Sequence, residues 1–217
     1  MKRSSFVPGT QGLDAAALRL PHVEAGMSVG LLGGSFNPPH PGHRLVAELA
    51  LRRLELDRLW WMVTPGNPLK DHGDLRSLAD RVTASRAIAR DPRICVTAFE
   101  ARYQVRYTAD TLALLRRIRP DVTFVWIMGA DSLSTFHLWQ GWRRIAATTA
   151  ICVVDRPGAT LSLLSSPAAQ TLSRSRMAER DASRLKHRKP PAWVFLHGPR
   201  SAVSSTKLRA GTGASSS

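Results

Sequence analysis

His40 and His43 are the side chains whose type and spacing best suit chemistry in this chain. They lie three residues apart at the predicted start of a helix, so both imidazole rings can face one ligand. Pro41 favours the first turn of that helix, where unpaired N–H groups and the helix dipole attract an anion. Two helix-borne histidines can also hold a metal, but no third ligand with suitable spacing is visible in the sequence. The pair therefore predicts a site at which two imidazoles bind one phosphate chain.

Two glycines at the end of a short apolar run, 28–32, precede the histidines. Because glycine has no side chain, a ligand can approach the backbone closely there, as amides that hold phosphate oxygens require. A Gly-Gly pair is often only a turn, and a histidine at a helix start is often only a cap. The position of the segment after a strand favours the phosphate interpretation. We expect the phosphate contacts to come from Gly33, Gly34, Ser35, Phe36 and Gly42.

Apolar runs of strand length alternate with segments of helical periodicity along the chain. The predicted strands are 28–32, 59–63, 94–99, 122–128, 150–154 and 193–196, and the predicted helices are 42–56, 75–89 and 108–118. This alternation predicts an α/β fold, a doubly wound parallel sheet with helices on both faces. In such sheets ligands bind beyond the carboxyl ends of the strands, which is where 33–43 falls.

Length and composition indicate one domain, because 217 residues with 43% hydrophobic residues can form a sizeable core. We predict a loosely ordered N-terminal extension over 1–27, a single domain over 28–210 and a flexible tail over 211–217. No apolar stretch approaches the roughly 20 residues of a membrane-spanning helix, and no signal-peptide run follows the first residues. Together these features predict a cytoplasmic protein with no membrane partner.

The net charge of +15 comes from 31 Lys and Arg against 16 Asp and Glu, so the surface should attract anions. The basic run 186–189 resembles a nucleic-acid patch. It has no interleaved aromatic residues and precedes two prolines, which is typical of a solvated loop. Charge alone does not choose among nucleic acid, anionic lipid and phosphorylated small molecules. The alternative, a basic module that binds RNA or DNA, would show a steep dependence of affinity on salt.

The sequence HPGH at 40–43 resembles the signature of a nucleotidyltransferase superfamily, whose motif is His, any residue, Gly, His. Near the far end, 204–209 has the sequence SSTKLR, a helix N-cap pattern followed by two basic residues. It resembles the second signature of the superfamily, a Ser/Thr-rich turn that ends in Arg and binds the triphosphate. The resemblance implies a Rossmann-like fold and transfer of a nucleotidyl group with release of pyrophosphate. It also implies triphosphate contacts from Ser204, Ser205, Thr206, Lys207 and Arg209.

Within the superfamily, the chain resembles the bacterial nicotinate-nucleotide adenylyltransferases from residue 29 to residue 209. The stretches 65–70, 107–112 and 129–142 carry this resemblance. It implies contacts to an acceptor nucleotide from Lys70, Thr108, Asp131, Trp139 and Arg156. Trp139 would stack on the pyridine ring.

No role in the site is predicted for Trp142, Asn37 or Leu69. Trp142 lies one helical turn after Trp139, beside apolar residues, and we expect it to pack in the core. Asn37 and Leu69 stand where many members of the family have aspartate and histidine, so no catalytic role is predicted for either residue.

The resemblance implies that ATP, carrying Mg²⁺, reacts with nicotinate mononucleotide to give nicotinate adenine dinucleotide and pyrophosphate. No protein side chain is expected to bind the metal. The phosphate signatures do not identify the acceptor, so nicotinamide mononucleotide and phosphopantetheine are alternatives, and the stretch 129–142 favours nicotinate. A homo-oligomer is compatible with the sequence, which does not determine the number of copies.

Replacing His43 by Ala should lower the turnover number about a hundredfold. One hydrogen-bond donor to a reacting phosphate typically contributes about 3 kcal/mol of transition-state stabilisation. Steady-state release of pyrophosphate from Mg-ATP measures the effect, and folding is expected to change little. Near-normal turnover of His43→Ala would contradict the assignment of this residue.

Overall fold

Seven parallel strands form one sheet in the computed structural model, which describes residues 11–65, 75–155 and 165–198. The strands are β1 (Ser28–Gly34), β2 (Arg58–Val63), β3 (Ile94–Thr97), β4 (Thr123–Gly129), β5 (Ala150–Val154), β6 (Arg176–Met177) and β7 (Trp193–Leu196). Their order across the sheet is β3-β2-β1-β4-β5-β7-β6. All six pairings are parallel. The prediction of a single-domain, doubly wound α/β fold is confirmed.

Helices connect most of the strands and cover the sheet. They are α1 (Pro41–Arg53), α2 (Leu78–Ile88), α3 (Phe99–Tyr103), α4 (Thr108–Ile118), α5 (Ala130–Thr135), α6 (Trp142–Thr148) and α7 (Pro167–Thr171). Short 3₁₀ helices occupy Phe136–Leu138, Ser173–Ser175 and Glu179–His187. Among the described residues, no helix combines the length and the apolar character needed to cross a membrane.

The strands are apolar on both faces because helices cover both faces of the sheet. Successive side chains of β1 and β2 alternate between two cores, so that Leu31 and Trp60 lie on one side while Leu32 and Trp61 lie on the other. Five of the six tryptophans are buried: Trp60, Trp61, Trp126, Trp142 and Trp193. Burial of these large side chains supplies much of the hydrophobic stabilisation of the sheet.

The predicted strand 94–99 is shorter in the structure, because β3 ends at Thr97 and α3 begins at Phe99. The Thr97 hydroxyl accepts a hydrogen bond from the Phe99 N–H at 3.2 Å, a local side-chain bond that competes with continuation of the strand. The same hydroxyl donates towards the carbonyls of Ala17 and Arg19, at 3.1 and 3.2 Å. One buried side chain thus turns the chain after β3 and attaches the N-terminal segment to it.

Residues 11–27 pack against the sheet although they contain only turns. Ala17 is buried in the core, and its carbonyl accepts from the Ala98 N–H at 2.7 Å. Asp14 forms an ion pair with Arg86 of α2 at 2.6 Å. The bounds predicted for the extension, domain and tail remain predictions. Asp14 and Ala17 nevertheless attach part of the extension to the domain.

Replacing Thr97 by Val, which has nearly the same shape, should lower the free energy of unfolding by about 1–3 kcal/mol. The change removes the hydroxyl from buried N–H and carbonyl partners. Urea unfolding measures the effect. Thr83→Val, at an exposed position of α2, is the matched control and should change the unfolding free energy by less than about 0.5 kcal/mol. Equal stability of the two variants would refute this account of Thr97.

Candidate active site

The order of the strands reverses beside β1, because the chain runs outward through β2 and β3 and then returns to pair β4 with the other side of β1. The carboxyl ends of β1 and β4 therefore lie side by side at a topological switch point. Open α/β sheets bind their ligands at this kind of place. The segment 35–43 follows β1, and Asp131 follows β4 at the second position of α5.

His40 and His43 lie together at the start of α1, with ring centroids 3.8 Å apart. His40 is the N-cap residue, and its Nδ1 accepts from the Gly42 N–H at 3.1 Å. His43 Nδ1 accepts from the His40 N–H at 3.2 Å, which completes a reciprocal capping box. Since each Nδ1 is an acceptor, the neutral form of each ring carries its proton on Nε2. Both rings are thereby oriented to donate with Nε2.

The two imidazoles are nearly inaccessible to water, with exposures of 2% for His40 and 9% for His43. A hydrogen bond to a charged group is stronger in such a place than in bulk water. The capping role also corrects one expectation, because His43→Ala removes an acceptor from the helix start as well as a donor to a ligand. Removing the acceptor of a buried N–H group costs about 1–3 kcal/mol, so the stability of that variant should fall.

Phe36 contacts the ring of His43 edge to face. Its backbone is left-handed, with φ of 46°, a conformation that a bulky residue rarely adopts. The Phe36 ring packs against His43 and Trp61, with centroid distances of 4.9 Å in both pairs. The positive φ therefore lies at Phe36 and not at Gly33 or Gly34.

The glycine pair lies in close packing around the end of β1. A Cβ atom at Gly33 would lie 2.7 Å from Cη2 of Trp126, and one at Gly34 would lie 3.1 Å from the Phe36 ring. Both half-buried glycines thus let aromatic rings approach the backbone beside the histidines. Contacts of Gly33, Gly34, Ser35, Phe36 and Gly42 with a phosphate remain a prediction.

Three of the predicted acceptor contacts lie around the carboxyl ends of the strands. Thr108 is the first residue of α4, Asp131 lies exposed in α5, and Trp139 directly follows the 3₁₀ helix Phe136–Leu138. Gly141 approaches α4 so closely that a Cβ atom there would lie 3.2 Å from Ala109 Cβ. The loop that carries Trp139 therefore abuts the start of α4.

Trp139 is partly buried, whereas Trp142 is 8% exposed. Trp139 contacts Trp126 and Phe136 edge to face, at centroid distances of 6.2 and 5.4 Å. Trp142 packs on Phe136 at 5.9 Å. The prediction that Trp142 belongs to the core is confirmed, and the interaction of Trp139 with a pyridine ring stays a prediction.

The remaining predicted site residues lie outside the described parts of the chain. They are Lys70, Arg156, Ser204, Ser205, Thr206, Lys207 and Arg209. Within 11–65, 75–155 and 165–198, no group of three or more His, Cys, Asp and Glu side chains could hold a metal ion.

Glu100 supports the start of α4 and was missed at the level of sequence. Its Oε1 accepts from the Thr111 hydroxyl at 2.6 Å, in the interior of the protein. Burial raises the pKa of Glu100 to about 7. The sequence signal was the position of this acid between two apolar residues, Phe99 and Ala101, which are also buried.

Residues 31–211 match the cytidylyltransferase-like family. A protein of Brucella suis biovar 1 (strain 1330), described as "Probable nicotinate-nucleotide adenylyltransferase", is 65% identical over 183 residues, which are 84% of this chain and 94% of that protein. A protein of Mesorhizobium japonicum with the same description is 62% identical over 190 residues, 88% of this chain and 97% of that protein.

Two solved structures of the nicotinic acid mononucleotide adenylyltransferase of Plasmodium falciparum resemble the present one. The complex with NaAD gives a TM-score of 0.65 at 17% sequence identity. The complex with APC gives 0.62 at 16%. Each comparison covers 85% of this chain and 83% of the other. At such identities the likeness shows the fold alone.

Replacing Glu100 by Gln should change how stability depends on pH. Because the folded pKa of about 7 exceeds the ordinary 4.5, the folded state binds the proton more tightly, and stability falls as the pH rises between these values. Glu100→Gln removes that decline and should gain up to about 3 kcal/mol, relative to the unchanged chain, between pH 4 and pH 8.

Urea unfolding at four pH values across this range tests the effect. Glu24→Gln, at an exposed position, is the control and should follow the unchanged chain. Parallel curves for Glu100→Gln and the unchanged chain would show that Glu100 does not titrate in this range.

Proposed function

We infer the reaction from one premise: this chain belongs to the cytidylyltransferase-like family, and its curated relatives are described as nicotinate-nucleotide adenylyltransferases. It transfers the adenylyl group of ATP to nicotinate mononucleotide, which gives nicotinate adenine dinucleotide and pyrophosphate in NAD biosynthesis. The structural observation that supports this chemistry is the pair of helix-capping imidazoles at the switch point of the sheet, with ring centroids 3.8 Å apart.

The reaction is an in-line substitution at the α-phosphorus of ATP. A phosphate oxygen of nicotinate mononucleotide forms a bond to this phosphorus, and the bond to the bridging oxygen of the β-phosphate breaks. The electron pair of the broken bond leaves with pyrophosphate. Because the attacking phosphate is already anionic at neutral pH, no protein base and no covalent nucleophile is required. The task of the protein is to position both nucleotides and stabilise the charge that develops.

His40 and His43 are the proposed donors to the reacting phosphate oxygens. Their Nδ1 atoms are held by backbone N–H groups, so Nε2–H of each ring is oriented before the substrate binds. Preorganised donors stabilise a transition state without the cost of reorientation during the reaction. The capping box thus links the local structure of α1 to the proposed chemistry.

The acceptor nucleotide is proposed to bind along the start of α4 and the loop after β4. Trp139 offers a partly buried ring for the pyridine, and Thr108 and Asp131 are the proposed polar partners. Lys70 and Arg156 are proposed on the resemblance alone. The triphosphate of ATP is assigned to the backbone around Gly33–Phe36 and Gly42, and to Ser204, Ser205, Thr206, Lys207 and Arg209.

Enzymes of this kind generally use a divalent metal, and we propose Mg²⁺. The oxygen atoms of the triphosphate suit this ion, which prefers oxygen ligands and retains several waters. Bound in this way, the ion would neutralise part of the negative charge on the departing pyrophosphate. We place the reaction in the cytoplasm, where Cys95 and Cys152, both free thiols, would stay reduced.

Pyrophosphate release from Mg-ATP should be at least about tenfold faster with nicotinate mononucleotide than with nicotinamide mononucleotide or phosphopantetheine. Sites that pair a polar substituent of the substrate discriminate strongly against analogues that lack it. An enzyme-coupled pyrophosphate assay with the three acceptors measures the ratio. A preference for the amide, or no release with any acceptor, would overturn the proposal.

Two variants of Trp139 test whether its ring binds the pyridine of the acceptor nucleotide. Trp139→Ala should raise KM for nicotinate mononucleotide by roughly tenfold or more, since stacking on an aromatic side chain is worth about 1–3 kcal/mol. Trp139→Phe keeps an aromatic ring and is the control, with a smaller rise expected. Unchanged KM in Trp139→Ala would place the pyridine ring elsewhere.

A further inference from the structure

Arg81 of α2 is buried, with 1% of its surface exposed, and within the described residues its guanidinium donates to backbone carbonyls. Nη1 donates to the carbonyls of Ser35 and Thr64, at 2.6 and 2.8 Å. Nη2 donates to Pro65 at 3.2 Å, and Nε donates to Arg76 at 3.0 Å. One side chain therefore connects three separate stretches of backbone.

These stretches include the loops at the carboxyl ends of β1 and β2. Ser35 follows β1 directly, Thr64 and Pro65 follow β2, and Arg76 precedes α2. A second link joins the same stretches, since the Arg76 N–H donates to Oδ1 of Asn37 at 3.2 Å. The carboxyl-end loops of β1 and β2 are thus held by hydrogen bonds to α2.

The bond to Ser35 also fixes the direction of the next amide. The peptide between Ser35 and Phe36 is trans, so its carbonyl and its N–H point in opposite directions. With the carbonyl held by Arg81, the Phe36 N–H points away from α2. The left-handed backbone at Phe36 is intrinsically unfavourable, and such a conformation persists only where its surroundings hold it.

Arg81 carries its positive charge among backbone carbonyls. In the described part of the chain it forms no ion pair with a carboxylate, unlike Arg86 on the same helix, which pairs with Asp14. Burial lowers the pKa of the Arg81 guanidinium to about 10, so the group stays protonated at neutral pH. A positive charge therefore lies in contact with the loop that follows β1, where it favours an anionic ligand.

We propose that Arg81 is a positioning residue of the phosphate site, which holds the Ser35–Phe36 peptide so that its N–H serves a nucleotide phosphate. The inference rests on the proposed function for its substrate, and on the four hydrogen bonds for its geometry. Arg81 acts through the backbone and does not itself touch the nucleotide. If Arg81 only stabilised the fold, its replacement would lower stability but would not change turnover per folded molecule.

The test replaces Arg81 by Lys and, separately, by Met. Lysine keeps the charge but lacks the planar fork that reaches four carbonyls, and methionine removes charge and donors together. Arg86→Lys, on the exposed side of the same helix, is the matched control. Turnover is measured as pyrophosphate release from Mg-ATP and nicotinate mononucleotide, per molecule shown to be folded by circular dichroism.

In Arg81→Lys the turnover number should fall about ten- to a hundredfold, because small displacements of a positioning group have effects of this size. Arg86→Lys should stay within about twofold of the unchanged chain. Binding of inorganic pyrophosphate, measured by calorimetry, should weaken at least about tenfold in Arg81→Lys and further in Arg81→Met. Normal turnover and normal pyrophosphate affinity per folded molecule would overturn the proposal, as would failure of both variants to fold.

The two readouts separate this inference from the proposed function. If the unchanged chain releases no pyrophosphate with any acceptor, the proposed reaction fails, and the affinity for pyrophosphate still decides the role of Arg81. If the unchanged chain is active and Arg81→Lys equals Arg86→Lys in both readouts, only the inference about Arg81 fails.

Discussion

The start of α1 is capped by imidazole nitrogens, and this interaction determines the geometry of the candidate site. Backbone N–H groups at a helix start need acceptors, and here the Nδ1 atoms of His40 and His43 supply them. The cap fixes the orientation of both rings and assigns the proton of the neutral form to Nε2. Local helix formation and the proposed chemistry thus depend on the same two hydrogen bonds.

Several layers of structure hold this cap in place. Phe36 and Trp61 pack against His43, and glycines at the end of β1 make room for Phe36 and Trp126. Further from the cap, hydrogen bonds of Arg81 and Asn37 join the loops after β1 and β2 to α2 and the residue before it. Since a site at a switch point is built from loops, this fold needs hydrogen bonds of that kind to make the loops as well defined as the strands.

Much of the fold was predictable because hydrophobic periodicity and strand length are local properties. The helix 108–118 and the strands 150–154 and 193–196 have the same bounds in the structure as in the prediction. The end of β3 was not predictable, since it depends on Thr97 bonding to chain that is distant in sequence. For the site, the spacing of His40 and His43 predicted that their rings meet. Arg81 was missed, although it shares a helix face with Leu78 and Val82, both buried.

The distribution of the six tryptophans gives the molecule a built-in optical reporter. Five of the indole rings are buried, and only Trp139 is partly open to solvent, so its emission should be the most red-shifted. An aromatic ligand stacked on Trp139 would quench that red edge of the emission. Excitation at the long-wavelength edge therefore offers a way to follow occupancy of the proposed acceptor site in the unmodified protein, without a label and without turnover.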